Sequence, residues 1–286
     1  MKGMIFMPYI LFLIGAAVFS VCQNLITSAA FSVKRLRRFG GIVFSIPPLI
    51  LCALFSANRS PEISCYLPVS GINFILGLII PVIIISEGDR ACCVSERLGY
   101  LCISVSALSV WILSYFKFTV FSAAFCVLLY IVYLMLTSKK DIPEIASAKS
   151  FRIISLLFSS AGIMLGCAIT VKNSIILSSC GISFKYICPG FIAVCAGCAR
   201  LYSERRLGKD VLCDISETLL LLSFPACKAG VGNAFFIPKS VCRSDIPMAL
   251  MLSLILALTS CIHKRQTRVL GIIMLLVYLF YIFMTV

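Results

Sequence analysis

Apolar runs long enough to cross a bilayer fill this chain. A helix rises about 1.5 Å per residue, so roughly 18–20 apolar residues traverse the hydrocarbon layer. Only helices and closed barrels satisfy their own backbone hydrogen bonds there. About ten such runs can be drawn, near 8–30, 41–57, 66–86, 99–115, 118–137, 153–171, 184–201, 211–227, 246–262 and 269–286. The longest connections, near 138–152 and 228–245, are too short to hold a soluble domain. The expectation is an all-α membrane protein of about ten transmembrane helices, with the bilayer itself as its main partner.

The net charge of +14 raises the possibility of nucleic-acid binding. The distribution of the charge argues against it. Numbered in order, the odd connections hold sixteen basic residues, among them Lys34, Arg90, Lys139, Arg205 and Lys264, and the even ones seven, counting Lys172. The positive-inside rule then places the odd connections in the cytoplasm and both termini on the other side. Met1–Cys22 resembles a signal peptide, but its apolar character continues through Ile26–Phe31. We read it as a retained first helix. Neither the host membrane nor the oligomeric state follows from these features.

The chain also repeats itself. Pro47–Glu62 and Pro189–Glu204 each start on proline, run apolar and end on glutamate, 142 residues apart (189 − 47). A second echo pairs Tyr130 and Tyr133 with Tyr278 and Tyr281. Each half reads as five helices: 1–140 and 153–286, joined by a basic cytoplasmic hinge at 141–152. Five is odd, so the copies insert in opposite directions, as two inverted repeats. The tyrosines of each pair share a helix face, and packing or interface anchoring is their expected role.

Sixteen cysteines fall mostly inside the apolar runs, and the single histidine, His263, lies in a polar connection. Packing inside helices accounts for them better than a zinc site does, even at Cys195 and Cys198. Glu62 draws more attention, because an ionisable residue near membrane depth costs several kcal/mol unless paired or hydrated. Asn58 and Ser60 precede it with side-chain oxygens, and Pro61 is expected to break the helical ladder and free backbone carbonyls. Ser70 and Asn73, three apart on the next helix, extend the set. Carboxylate, amide, hydroxyl and carbonyl oxygens suit a hard cation such as Ca²⁺ or Na⁺. Glu204, and Asp214 with Glu217 on one helix face, are the candidates in the second half.

Ala57-Asn58-Arg59-Ser60-Pro61-Glu62 resembles the G-N-G-[AS]-P-[DE] signature of the sodium/calcium exchanger superfamily, closest to its cation/calcium exchanger branch. Val69-Ser70-Gly71-Ile72-Asn73-Phe74 looks like that family's G-S-N-x-F segment. The resemblance implies ten helices in two inverted repeats with both termini outside. It also implies exchange of Ca²⁺ against Na⁺ or H⁺ by alternating access, with no resident cofactor and no enzymatic chemistry. The motifs are eroded: Arg59 replaces a glycine, and Arg200-Leu201 stand where a proline and an acid are expected. Coordination in the second half therefore falls to Glu204, to Asp214 with Glu217, or to none of them. Two alternatives stay open: a degenerate, non-transporting relative, and a small-solute transporter of the drug/metabolite type. A third, a phosphatidyltransferase, rests on Arg200, Gly208, Asp210 and Asp214, but Cys195 stands where that motif needs an acid.

Overall fold

A computed structural model of the chain describes residues 2–32, 40–58, 61–87, 94–137, 153–181, 209–262 and 267–285. These residues are almost wholly helical. In order they form α1 (Lys2–Ser32), α2 (Gly40–Ala57), α3 (Pro61–Phe74), a π-helical turn π1 (Ile75–Ile79) and α4 (Ile80–Glu87). Then come α5 (Val94–Ser114), α6 (Val120–Thr137), α7 (Ile153–Ser179) and α8 (Lys209–Val231). A second π-helical turn, π2 (Val241–Asp245), leads into α9 (Ile246–Ile262), and α10 (Arg268–Thr285) closes the chain. Among the described residues, six helical segments are long and apolar enough to span a membrane.

The distribution of side chains is inside-out relative to a soluble protein. Phe121, Leu128 and Met135 on α6, and Leu276, Phe280 and Phe283 on α10, are exposed. Ser104, Ser106, Asn73, Glu217 and Asp245 are buried. Lipid solvates the outer apolar faces, and the polar groups turn inward where partners exist.

Helix α1 lies along α7, α2 along α8, α5 along α9, and α10 along α4 and π1. Glycines allow the first of these pairs to close. A Cβ on Gly166 would lie 2.8 Å from the backbone nitrogen of Phe19 and 2.9 Å from the carbonyl oxygen of Gly15. Gly162, one turn earlier, faces Cys22. This is the small-residue spacing that brings membrane helices to backbone contact. Helix α8 is the hub, packed against α2, α3, α5 and α6.

Both π turns have a cause in the sequence. Each is followed by Ile-Pro: Ile80-Pro81 after π1 and Ile246-Pro247 after π2. Proline donates no backbone hydrogen bond, so the ladder widens just before it. The N–H groups of Ile80 and Ile246 reach back five residues, to Ile75 and Val241. The next carbonyl in the π2 ladder, Cys242, faces Pro247 and accepts instead from Trp111 Nε1 at 2.9 Å. At one end of the bundle the α5–α6 and α8–α9 connections pair. Phe118 N–H donates to Phe235 O at 2.7 Å and Phe235 N–H to Phe118 O at 3.2 Å.

The element boundaries recur at a different spacing from the Pro…Glu echo. Pro61 and Lys209 open α3 and α8 (209 − 61 = 148), and Val120 and Arg268 open α6 and α10 (268 − 120 = 148). The latter two helices are both 18 residues long. The tyrosine echo has this spacing; the echo at 142 does not, because it rests on one proline and one glutamate rather than on whole helices. In the 148 frame Glu62 falls opposite Asp210, not Glu204. Helix α7 also runs eight residues beyond the expected 171, so Lys172 is a helix residue and not a connection residue.

Candidate ion-binding site

The buried carboxylates sit on α8 and π2. Glu217 is only 1% exposed, midway along α8. Its Oε1 accepts from the Ser106 hydroxyl of α5, and its Oε2 has no hydrogen-bond partner. One turn earlier, Asp214 Oδ1 accepts from the Tyr133 hydroxyl of α6. Thr218 Oγ1 donates to the Asp214 carbonyl at 2.6 Å and lies 3.1 Å from the Tyr130 hydroxyl. Positions 214, 217 and 218 share one helix face. That face looks onto the Ser106 face of α5 and the tyrosine face of α6.

A second polar cluster lies on α3, π2 and α10. Asp245, 2% exposed, receives the Tyr281 hydroxyl and the Ser244 hydroxyl (2.8 Å) on the same oxygen, Oδ1. Asn73, 1% exposed, donates from Nδ2 to the main-chain oxygen of Asp245 at 2.9 Å. Its Oδ1 has no partner. The two clusters share a pattern. In each, two stacked tyrosines three residues apart (ring centroids 6.3 Å for Tyr130–Tyr133, 6.2 Å for Tyr278–Tyr281) send the later hydroxyl to a carboxylate. These tyrosines therefore do more than pack, contrary to their expected role.

The sequence candidates separate into three groups. Glu217, Ser70 and Asn73 are buried and Asp214 is half-buried, on α8 and α3, which pack together. Glu62 and Asn58 are exposed. Pro61 does not break a helix but opens α3, the position proline favours because its missing donor is unneeded there. Glu62 thus sits in the first turn, where a negative charge complements the helix dipole. Asn58 Nδ2 is bonded to Leu54 O of its own helix at 2.8 Å. Arg59, Ser60, Arg200 and Glu204 lie outside the described residues.

Asp245 was not among the sequence candidates. Arg243-Ser244-Asp245 reads as a polar connection, yet helix begins before it. The usable signal is Ile246-Pro247: a proline in the second position of an apolar run, preceded by an acid, echoes Ile80-Pro81. Ser106 could be found only through its partner.

The cysteines contribute packing here: Cys52, Cys65, Cys126, Cys167, Cys213, Cys227 and Cys242 are buried. No cluster of three or more histidine, cysteine or acidic residues among the described residues is arranged to hold a metal by itself. A cation at Glu217 would therefore need hydroxyl, amide and carbonyl oxygens as well.

Comparison with solved structures places this arrangement. The crystal structure of the H⁺/Ca²⁺ exchanger CAX superposes with a TM-score of 0.80 over 96% of this chain and 82% of that one, at 13% identity. The chain has the cation/calcium exchanger fold. The sodium-calcium exchanger NCX_Mj, soaked with zero Na⁺ and Ca²⁺, matches over the whole of both chains with a TM-score of 0.64 and 17% identity. The same exchanger soaked with 10 mM Na⁺ and 10 mM Sr²⁺ gives 0.63 and 18% over 99% and 98% of the two chains. No family model and no curated protein matches the sequence. The fold is thus shared with these exchangers at 13–18% identity. Both of these structural neighbours are described as exchangers.

Proposed function

We propose that the chain is a multi-pass membrane cation antiporter that moves Ca²⁺ by alternating access. Ca²⁺ takes six to eight oxygen ligands, with carboxylates supplying charge. Asp214 and Glu217 carry the charge, and Ser70 and Asn73 on the neighbouring α3 add neutral oxygens. The observation that carries the reading is Glu217. It is a carboxylate buried in a membrane bundle with one oxygen unoccupied by any donor, on a fold shared with two calcium exchangers. A buried acid of this kind is held at a cost, and binding an ion offsets it.

The ten-helix inverted repeat belongs to the same reading. The 148-residue recurrence of helix starts supports it. So does the Phe118–Phe235 pairing, which puts the α5–α6 and α8–α9 connections on one face. Helices α6, α7 and α8 run between them. Return to the same face takes an even number of crossings, so the reading requires one more, for which the sequence offers 184–201. With the charge asymmetry, both termini lie on the non-cytoplasmic side.

The test is flux. Purified protein in liposomes should take up radioactive calcium against an outward Na⁺ or H⁺ gradient. A panel of Na⁺, K⁺, Mg²⁺, Mn²⁺ and H⁺ gradients would identify the counter-ion. Glu217→Gln should abolish uptake. Folded protein that moves none of these cations would favour the non-transporting relative instead.

A further inference from the structure

Sulfur gathers where α2, α3 and α8 meet. Cys227 of α8 is the centre, and its thiol lies beside those of Cys65 on α3 and Cys52 on α2. The Ser64 hydroxyl of α3 is 2.7 Å from Cys227 Sγ and reaches the Cys52 carbonyl as well. The Ser56 hydroxyl of α2 faces the same thiol, and its oxygen is left unpaired. All five side chains are buried. Backbone contact fixes their spacing: a Cβ on Gly230, one turn after Cys227, would run into the Ala53 carbonyl oxygen and lie 2.7 Å from Ser56 Cβ. The cluster is separate from the carboxylates. Cys227 follows Glu217 by ten residues (227 − 217), about 15 Å along a helix.

We propose that Cys65 and Cys227, with the Ser56 and Ser64 hydroxyls, form a second metal site, one that takes a thiophilic divalent ion of the zinc class. Sulfur sets the class, because thiolates favour zinc and its congeners while Ca²⁺ and Na⁺ prefer all-oxygen shells. Charge sets the stoichiometry. Net charge inside a membrane bundle is expensive, and two thiolates cancel a divalent ion. A monovalent soft ion would leave one negative charge over. Neutral hydroxyls then complete the four positions that zinc prefers, so three sulfurs or acids are not required. Cys52 borders the site and keeps its proton, since a third thiolate would restore a net charge. The step balances without electron transfer: two S–H bonds give their protons to water as two metal–sulfur bonds form. One ion then ties three helices together, and its binding stabilises the bundle by mass action. The inference is independent of the antiporter reading.

Equilibrium dialysis of full-length protein in detergent against radioactive zinc tests it. Cys195→Ser/Cys198→Ser, which removes the CxxC pair, serves as the background. Adding Cys65→Ser/Cys227→Ser should lose one zinc per molecule, and equal binding with and without those two changes would overturn the site. If that variant does not fold, Cys65→Ser alone decides. X-ray absorption of the zinc-loaded background should show sulfur ligands at about 2.3 Å. In Cys65→Ser either the zinc is lost or the sulfur count falls by one, and an unchanged count overturns the assignment. Excess Ca²⁺ should leave the bound zinc in place. Its displacement by Ca²⁺ would put the ion on the α8 carboxylates and refute a separate site, whereas absent calcium flux in liposomes would count against the antiporter reading alone.

Discussion

Replacing Gly166 by alanine probes the α1–α7 contact with a magnitude that can be worked out in advance. The new methyl would sit 2.8 Å from Phe19 N and 2.9 Å from Gly15 O, against ordinary contact of 3.4 Å or more. Both obstacles are backbone atoms, so the helices must part by about half an ångström. Overpacking of this kind costs ~1–3 kcal/mol. Alanine also favours the helix over glycine by ~1 kcal/mol, which masks part of the loss. Gly162→Ala removes the ambiguity. Its methyl meets the Cys22 thiol, the end of a side chain that can rotate, and it gains the same helix propensity. The difference between the two variants isolates the packing cost, which we expect at about 2 kcal/mol. Equilibrium unfolding of both variants in mixed detergent micelles measures it. Gly166→Ala as stable as Gly162→Ala would refute the close approach of α1 and α7.

Three further outcomes follow from named contacts. Glu62→Gln and Asn58→Ala should leave calcium uptake near wild type in the liposome assay, because both residues are exposed; abolished uptake would return them to the site. Trp111→Phe should lower stability by about 1–3 kcal/mol in the micelle assay, since the Cys242 carbonyl would face Pro247 with no donor. A Phe118→Cys/Phe235→Cys pair should form a disulfide under mild oxidation, detectable as a linked peptide by mass spectrometry. Residues that exchange both backbone hydrogen bonds have Cα atoms about 5.5 Å apart, within disulfide reach.

Much of the fold is legible in the sequence because membrane helices announce themselves by length and apolarity. The polar interior is legible only where chemistry and periodicity agree. Asp214 and Glu217, three apart in an apolar stretch, share a face by their spacing alone. Glu62 misleads for a physical reason. A proline-glutamate pair describes a helix start as well as a helix break, and composition does not separate the two. Asp245 is hidden by Arg243 and Ser244, which make the start of a helix look like a loop. The partners Ser106, Tyr133 and Tyr281 lie on other helices, 111, 81 and 36 residues from the carboxylates they serve. No local pattern reports such a pairing. The tyrosine echo has the same 148-residue spacing as two pairs of helix starts, whereas the echo carried by one proline and one glutamate does not.

The position of α8 has a consequence for how the protein is made. It packs against four other helices, yet among the described residues it is not one of the segments apolar enough to span a membrane unaided. An acid at the centre of a membrane helix raises the insertion cost by roughly 2.5–3.5 kcal/mol, and α8 carries three acids, Asp210, Asp214 and Glu217. Its entry into the bilayer must then draw on helices synthesised earlier, with Ser106, Tyr130 and Tyr133 waiting to receive its polar face. Damage to α5 or α6 would therefore show first as α8 left outside the membrane and degraded, before any loss of activity could be measured.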